Sequence, residues 1–332
     1  MNEAPRGSKA RRDGLRAFGL SLLADVRPPG AWEVQPFREP SLEIRSVTAQ
    51  TIEHSWSGLE TIGWDGLIDG APFVVERGVA GDHRFVHGAH PDRNGGPSNG
   101  TRAVHHLSAD ASVLQCAPSD PADPSWWRVV LDSVLFTIAL LAGYEALHAA
   151  AVATPAGAVA ITAATGGGKS TLLAELIQRG LPLLADDIVV LEPRTAAAPL
   201  AHPGPPLMTV PASSLSGTDE LGESIALVGD ERWIAMPAHP EPLPLAAIVW
   251  LDRHAGARLD LQPVSPTLAP VLSSLLLYPR VPERERDRFE LASEVSAHVP
   301  VMTLTADPAI SPQTLADLLA AQRHLQIDHL AS

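Results

Sequence analysis

The sequence has a single cysteine, Cys116. One thiol can form neither an intrachain disulfide nor a cysteine-based metal site, and such a chain suits a reducing compartment, so a cytoplasmic location is expected. Basic residues are scarce as well: 24 Lys and Arg stand against 38 Asp and Glu, a formal net charge of −14. Nucleic-acid binders draw affinity from a basic surface that neutralises phosphates, so DNA or RNA is not expected as the main partner. No long hydrophobic run is present. The longest apolar stretch, Leu131–Tyr144, contains Asp132 and falls short of the roughly 20 residues that span a bilayer. The basic start (Arg6, Lys9, Arg11, Arg12, Arg16) is followed only by Phe18–Ala24 before Asp25 interrupts, too little apolar sequence for a secretory signal. Residues 1–14 are therefore expected to form a solvated arm, and no membrane partner is expected. No internal repeat is found.

What the sequence does have is apolar residues, 45% of the total, punctuated by 31 prolines and 25 glycines. The length accommodates two units with real cores. Residues 15–115 read as short strands separated by turns, within a first unit of residues 15–124. Leu42–Val47 and Phe73–Val75 are apolar or β-branched runs, and Gly88–Gly100 is a polar loop. This part is expected to be a small α+β module. Pro118–Pro124 breaks the chain, and Ser125 can cap a helix that runs to about Gly143. Residues 125–332 form the larger unit. In it Ala149–Ala153 and Val159–Thr162 read as strands around the Pro155–Gly157 turn. Thr171–Arg179 reads as a helix with Leu172, Leu173, Leu176 and Ile177 on one face, stopped by Gly180 and Pro182. Leu183–Leu191 reads as one strand. Later, Ala246–Leu251 and Val299–Leu304 read as strands, and Ser265–Leu277, Glu283–Glu290 and Ser311–Leu325 as helices. Pro193–Glu223 is longer than an ordinary connection, which marks a functional or a disordered loop.

Chemistry concentrates at Ala163-Ala164-Thr165-Gly166-Gly167-Gly168-Lys169-Ser170. This is the phosphate-loop pattern G-x-x-x-x-G-K-[ST] with Ala163 in place of its first glycine. Three glycines let successive N–H groups turn inward, and the following helix adds its positive end, so the loop can cradle phosphates. Lys169 would reach the outer phosphates and Ser170 would give a hydroxyl to Mg²⁺. The bland alternative is a glycine-rich turn that caps a helix. Asp186-Asp187 is the second signal. The helix descends for about ten residues at roughly 1.5 Å each, and a strand climbing at about 3.3 Å per residue recovers that height in four or five. The pair would thus arrive level with the phosphates. Adjacent strand residues face opposite ways, so only one aspartate easily faces the outer phosphate. A plain aspartate pair in a strand-edge turn is the alternative.

On Leu147-His148-Ala149-Ala150-Ala151-Val152, Ala163–Ser170 and Leu184-Ala185-Asp186-Asp187, the sequence resembles the HPr kinase/phosphorylase family and the wider phosphoenolpyruvate-carboxykinase-like P-loop fold. The resemblance is specific over about residues 145–192. Phe18-Gly19-Leu20 and Val299-Pro300-Val301 more loosely resemble HPr-kinase-like proteins of biosynthetic gene clusters. It implies an α/β P-loop core beside a smaller N-terminal α+β module, and ATP with Mg²⁺ as cofactors. Thr165, Gly166, Gly167, Gly168, Lys169, Ser170 and Thr171 would form the nucleotide-binding stretch. Asp186 would be the general base, Asp187 would orient the site or, with Ser170, hold Mg²⁺, and His148 would tune Asp186. Thr171 stands where the family's HPr kinases carry a glutamate.

The function expected is ATP-dependent transfer of the γ-phosphoryl group to a hydroxyl of a peptide, protein or small metabolite. The rival is a nucleotide-binding regulatory or degenerate module without transfer, and a homo-oligomer is open in either case. His148 alone could equally be a hydrogen-bonded core histidine. A metal role for His105-His106 is not expected. Arg253 reads as an exposed arginine that could reach a phosphate. Arg280, Arg284, Arg286 and Arg288 read as a solvated helix face, and Trp126 and Trp127 as packing residues.

Overall fold

A computed structural model describes residues 12–30, 32, 35–37, 40–68, 71–88, 103–118, 120, 126–211, 221–228, 231–265, 268–276, 284–322 and 325. Most of the Gly88–Gly100 loop, Ser125, Arg280 and the middle of Pro193–Glu223 lie outside them. The architecture is mixed α/β. The first sheet comprises β1 (Arg12–Ala17), β2 (Leu20–Ala24), β3 (Gln35–Phe37), β4 (Leu42–Ser46), β5 (Gly58–Ile68), β6 (Ala71–Gly78), β7 (His83–His87), β8 (Ala103–Leu107) and β9 (Val113–Ala117). Their order is β3-β1-β2-β4-β9-β8-β7-β6-β5, with helix α1 (Ala49–Ser55) packed on β8 and β9. Arg12–Gly14, expected in the solvated arm, pair with β3 and belong to the sheet.

Helix α2 leads into the second unit as Trp126–Val129, a π-helical turn Val130–Val134, and Leu135–Leu141. Trp127, Val130, Leu131, Val134 and Leu135 are buried in one core with Leu22, Phe73 and Phe85 of the first sheet and with Val190 and Trp233 of the second unit. The sheets separate near residue 124, but this hydrophobic core runs across the division. The tip of the β1–β2 hairpin reaches across it too. Phe18 and Gly19 both have positive φ (55° and 80°), as a two-residue I′-type turn requires, and Phe18 N–H donates to Pro203 C=O at 2.7 Å.

The second sheet contains β10 (Glu145–His148), β11 (Ala150–Thr154), β12 (Gly157–Ala163), β13 (Leu183–Ala185), β14 (Ile188–Glu192), β15 (Leu200–His202), β19 (Leu243–Arg253), β20 (Asp260–Pro263) and β21 (Val301–Ala306). A small antiparallel sheet, β16 (Leu207–Pro211), β18 (Glu231–Ala235) and β17 (Ser224–Val228), stands beside it. Alternation along β11 explains the layers. Ala150 and Val152 pack with Leu172, Leu173 and Leu176 of helix α3 (Lys169–Gln178) and with Leu315 and Leu319 of α6 (Pro312–Ala320). Ala149 and Ala151 face the other way, with Val271 of α4 (Leu268–Ser274) and Leu291, Ala292 and Val295 of α5 (Glu285–His298). Each fully buried leucine contributes roughly 1.5–3 kcal/mol.

Two expectations are corrected. Leu183–Leu191 is not one strand: it breaks at Asp186-Asp187 into β13 and β14, because Asp187 takes a left-handed conformation at φ 64°. Arg284 and Arg288 are not solvated. Both are buried and donate to the fully buried Glu145, at 2.6 and 3.1 Å, while Arg286 is the exposed member that pairs with Glu290 at 2.7 Å. Glu145 needs both donors because burial would otherwise leave its charge uncompensated. Among the described residues no helix is long and apolar enough to cross a membrane.

His105 is fully buried in the first sheet, with no hydrogen-bond partner on either ring nitrogen. Burial pushes its pKa down from 6.5 to about 3, with His87 adding to the shift. The folded state therefore holds this ring neutral while the unfolded chain protonates below pH 6.5, so the stability at stake is present above 6.5 and is lost as pH falls toward 3. Replacing His105 by Phe should remove that loss. The stability difference between variant and wild type should grow by about 1.4 kcal/mol per pH unit on acidification below 6.5 in urea titrations. Parallel pH profiles for the two proteins would rule it out.

Candidate functional site

Strand β12 ends at Ala163, which pairs with Leu251 and is buried in the core beside α3. The methyl that replaces the pattern's first glycine is thus still strand and does not enter the turn. Residues 164–168 then reverse direction, closed by Gly167 N–H donating to Ala164 C=O at 2.8 Å. Gly166 and Gly168 have φ of 74° and 96°, a region that side chains rarely occupy. A Cβ on Gly167 would meet Ala164 C=O at 2.8 Å and the Ala163 methyl at 2.9 Å. All three glycines are therefore required by the turn itself. Helix α3 begins at Lys169 with no acidic residue in its first turn, so its free N–H groups and positive end face the turn uncompensated.

Lys169 is buried, and its Nζ lies 2.7 Å from His148 Nε2. An ammonium has only donors, so His148 accepts through a neutral ring. Burial lowers the His148 pKa; Asp187 opposes this and Lys169 adds to it. Asp187 Oδ1 completes the group at 3.7 Å from His148 Nε2 and 3.9 Å from Lys169 Nζ. What brings these residues together is the course of the chain. β10 and β11 are separated by Ala149 alone, and β13 and β14 by Asp186-Asp187 alone, yet each pair is divided between distant places in the order β10-β14-β15-β19-β12-β11-β13. The sheet must fold back so that its ends meet. They meet where Ala149 N–H donates to Asp187 C=O at 3.1 Å. His148, the last residue of β10, and Asp187, in the second crossing, stand next to the turn that presents Lys169.

Asp186 is turned elsewhere. Its Oδ2 accepts from Thr209 N–H at 3.0 Å, and its Oδ1 has no exposed surface and no hydrogen-bond partner. Burial raises its pKa to about 7; the Thr209 N–H and Lys169 pull it down and Asp187 pushes it up. The two aspartates thus diverge, as opposite-facing neighbours should, although the break in the strand adds a twist. Among the predicted residues, His148, Lys169 and Asp187 form one cluster and Ser170 stands in the same helical turn as Lys169. Thr165, Gly166 and Thr171 are exposed along the turn and helix start, and Asp186 is one residue away but bonded to the neighbouring sheet.

Two residues stand at the site beyond those the sequence analysis assigned to it. Thr209 is one. Arg253 is another: it ends β19, the parallel neighbour of β12, and its Nη2 donates to Pro308 and Ile310 C=O at 2.7 and 2.8 Å. A Cβ on Gly168 would lie 3.4 Å from Arg253 Nη1. Arg253 is half-buried rather than exposed, and the parallel pairing that brings the ends of β12 and β19 level sets it beside Gly168, where it could reach a phosphate as expected. Asp132 stands on the π-turn of α2, where burial raises its pKa to about 8, Arg128 opposing the shift and Asp187, Glu231 and Asp186 adding to it. Among the described residues no three of His, Cys, Asp and Glu gather closely enough to hold a metal ion alone. Ser170 and Asp187 could share one with phosphate oxygens and water, the usual arrangement for Mg²⁺.

No protein-family model matches the chain, and no curated protein matches it. Among solved structures, the Hpr(Ser) kinase/phosphatase from Coxiella burnetii is similar at 15% identity and a TM-score of 0.29, over 54% of this chain and 95% of that one. A likeness at that level carries no inference about activity.

The left-handed Asp187 yields a test. An alanine at this φ suffers a penalty of roughly 1–2 kcal/mol that glycine avoids. Asp187→Gly should therefore unfold at a higher denaturant concentration than Asp187→Ala. Equal midpoints would mean that the backbone at the crossing is not strained.

Proposed function

We propose that this protein is an ATP-dependent phosphotransferase that moves the γ-phosphoryl group to a hydroxyl of a peptide, protein or small metabolite, on a core of the phosphate-loop type. The observation that carries the reading is the convergence of a three-glycine turn at a helix start, a buried lysine, and an aspartate from the neighbouring strand crossing. In this reading the N–H groups of residues 165–171 cradle the phosphates. Lys169 leaves His148 for the outer phosphate oxygens, and Arg253, pinned beside Gly168, adds a second fixed cation. Preorganised cations of this kind act in a partly dry site, where they count for more than in water. Mg²⁺, held by the Ser170 hydroxyl and Asp187 when bound, would neutralise developing charge on the phosphates.

Asp186 takes the proton from the acceptor hydroxyl. Its Oδ1 has no protein donor, so a hydroxyl admitted to it when substrate binds would be its first hydrogen-bond partner. As the proton moves to Asp186, the acceptor oxygen bonds to the γ-phosphorus and ADP departs with the electrons of the broken P–O bond. His148, neutral and touching Lys169, keeps that lysine on the Asp187 side until phosphates compete for it.

A fluorescent ATP analogue with Mg²⁺ should bind the wild type, and Lys169→Ala should weaken binding by at least about tenfold, on the scale of one charge-assisted contact. Asp186→Asn should keep the nucleotide but lower transfer from labelled ATP to a pool of serine peptides and small alcohols by about 10²–10⁴-fold. Absence of nucleotide binding would end the proposal. Binding with turnover indifferent to Asp186 would leave the regulatory-module reading.

A further inference from the structure

The chain leaves β21 as Asp307-Pro308-Ala309-Ile310, just before the α6 cap at Ser311. Aspartate in the first position and proline in the second favour a tight turn. Proline fixes φ at about −65°, and the aspartate side chain accepts from the backbone two residues on. Ile310 N–H donates to Asp307 C=O at 3.0 Å, and Ala309 N–H donates to Asp307 Oδ1 at 2.8 Å. The other carboxylate oxygen reaches a different loop. Asp307 Oδ2 accepts from Gly256 N–H at 2.5 Å. Gly256 lies in the turn after β19, at a φ of 77°. One carboxylate thus ties the turn after β21 to the turn after β19. The Ala309 and Gly256 amides hold its pKa below the usual carboxylate value, so it is charged at neutral pH.

Arg253, the last residue of β19, is held by the same turn. Its Nη2 donates to Pro308 and Ile310 C=O at 2.7 and 2.8 Å, two carbonyls of the segment that Asp307 organises. Its other nitrogens are unspent. Nε is buried without a hydrogen-bond partner, and among the described residues nothing accepts from Nη1. Nη1 is also the nitrogen beside the glycine turn, 3.4 Å from where a Cβ on Gly168 would lie. A long side chain that must be ordered when a ligand arrives costs affinity. Here the guanidinium is ordered beforehand, by carbonyls whose own placement depends on Asp307.

We propose that Asp307 is a positioning residue for nucleotide binding: it fixes the turn whose carbonyls pin Arg253, so that Nη1 meets a phosphate oxygen at the glycine turn without reorganisation. This rests on the phosphotransfer reading above. Asp307 touches neither nucleotide nor acceptor in this role. The sign of its effect separates positioning from charge. A carboxylate near a phosphate site repels the ligand, so its removal would tighten binding if charge alone mattered. Positioning makes its removal weaken binding.

The test uses the full chain with Mg²⁺ and β,γ-imido-ATP in calorimetric titrations, arranged as a double-mutant cycle. Asp307→Ala should weaken nucleotide affinity about three- to tenfold, the scale of ordering one long side chain. Asp307→Asn keeps an oxygen for the Ala309 N–H and should lose less. In an Arg253→Ala background, Asp307→Ala should change affinity by less than about twofold, because the group it positions is gone. A general disturbance of the glycine turn would weaken binding equally in both backgrounds. A second readout needs no nucleotide: the ¹H–¹⁵N signal of the Arg253 Nε–H, assigned by its disappearance in Arg253→Lys. This buried N–H should exchange slowly with water in the wild type and clearly faster in Asp307→Ala. Unchanged or tighter nucleotide binding by Asp307→Ala, an equal loss in the Arg253→Ala background, or unaltered exchange at Nε would overturn the inference and leave the phosphotransfer reading in place. If β,γ-imido-ATP does not bind the wild type, both fall together.

Discussion

The Ala149 N–H to Asp187 C=O hydrogen bond is the tie on which the site depends. It joins two places where the chain passes from one arm of a folded-back sheet to the other. Neither crossing has slack: one residue separates β10 from β11, and two separate β13 from β14. Alanines at 149, 151, 158 and 160 keep this corner thin, so α4 and α5 pack closely behind it. The left-handed backbone at Asp187 follows from the same corner. A strand that must leave one arm and enter the other within two residues cannot stay extended.

Electrostatics follow from this geometry. Lys169 is buried at the start of α3, and it finds its partners in His148, just before the first crossing, and Asp187, in the second. Arg253 arrives from the end of the parallel neighbour strand and is held by two carbonyls, so its charge is fixed in place. Asp186 is held from another side, by the Thr209 N–H of β16.

The first unit is more than an appendage. Its hairpin tip contacts Pro203, its sheet shares a core with α2, and α2 carries the π-turn. The prolines of Pro118–Pro124 suggested a division there; among the described strands β9 is the last of the first sheet and β10 the first of the second. The shared core was not visible, because apolar residues in α2 do not reveal which of two sheets they will meet. Arg284 and Arg288 show the same blindness. Alternating charge on a helix looks solvated until Glu145, about 140 positions earlier, proves to be buried against it.

By itself the sequence determined the local units: the strand–turn–helix from Gly157 to Gln178, the stop at Gly180, the packing tryptophans, and the residue types able to grip phosphates. These depend on neighbours a few positions apart, where backbone sterics and side-chain periodicity act. Only the tertiary structure decided that Leu183–Leu191 breaks at its aspartates, that Asp186 turns to Thr209 while Asp187 joins Lys169 and His148, and that Arg253 stands beside Gly168. Those outcomes depend on which strands pair and where the sheet folds back, and pairing is settled by burial summed over the whole chain.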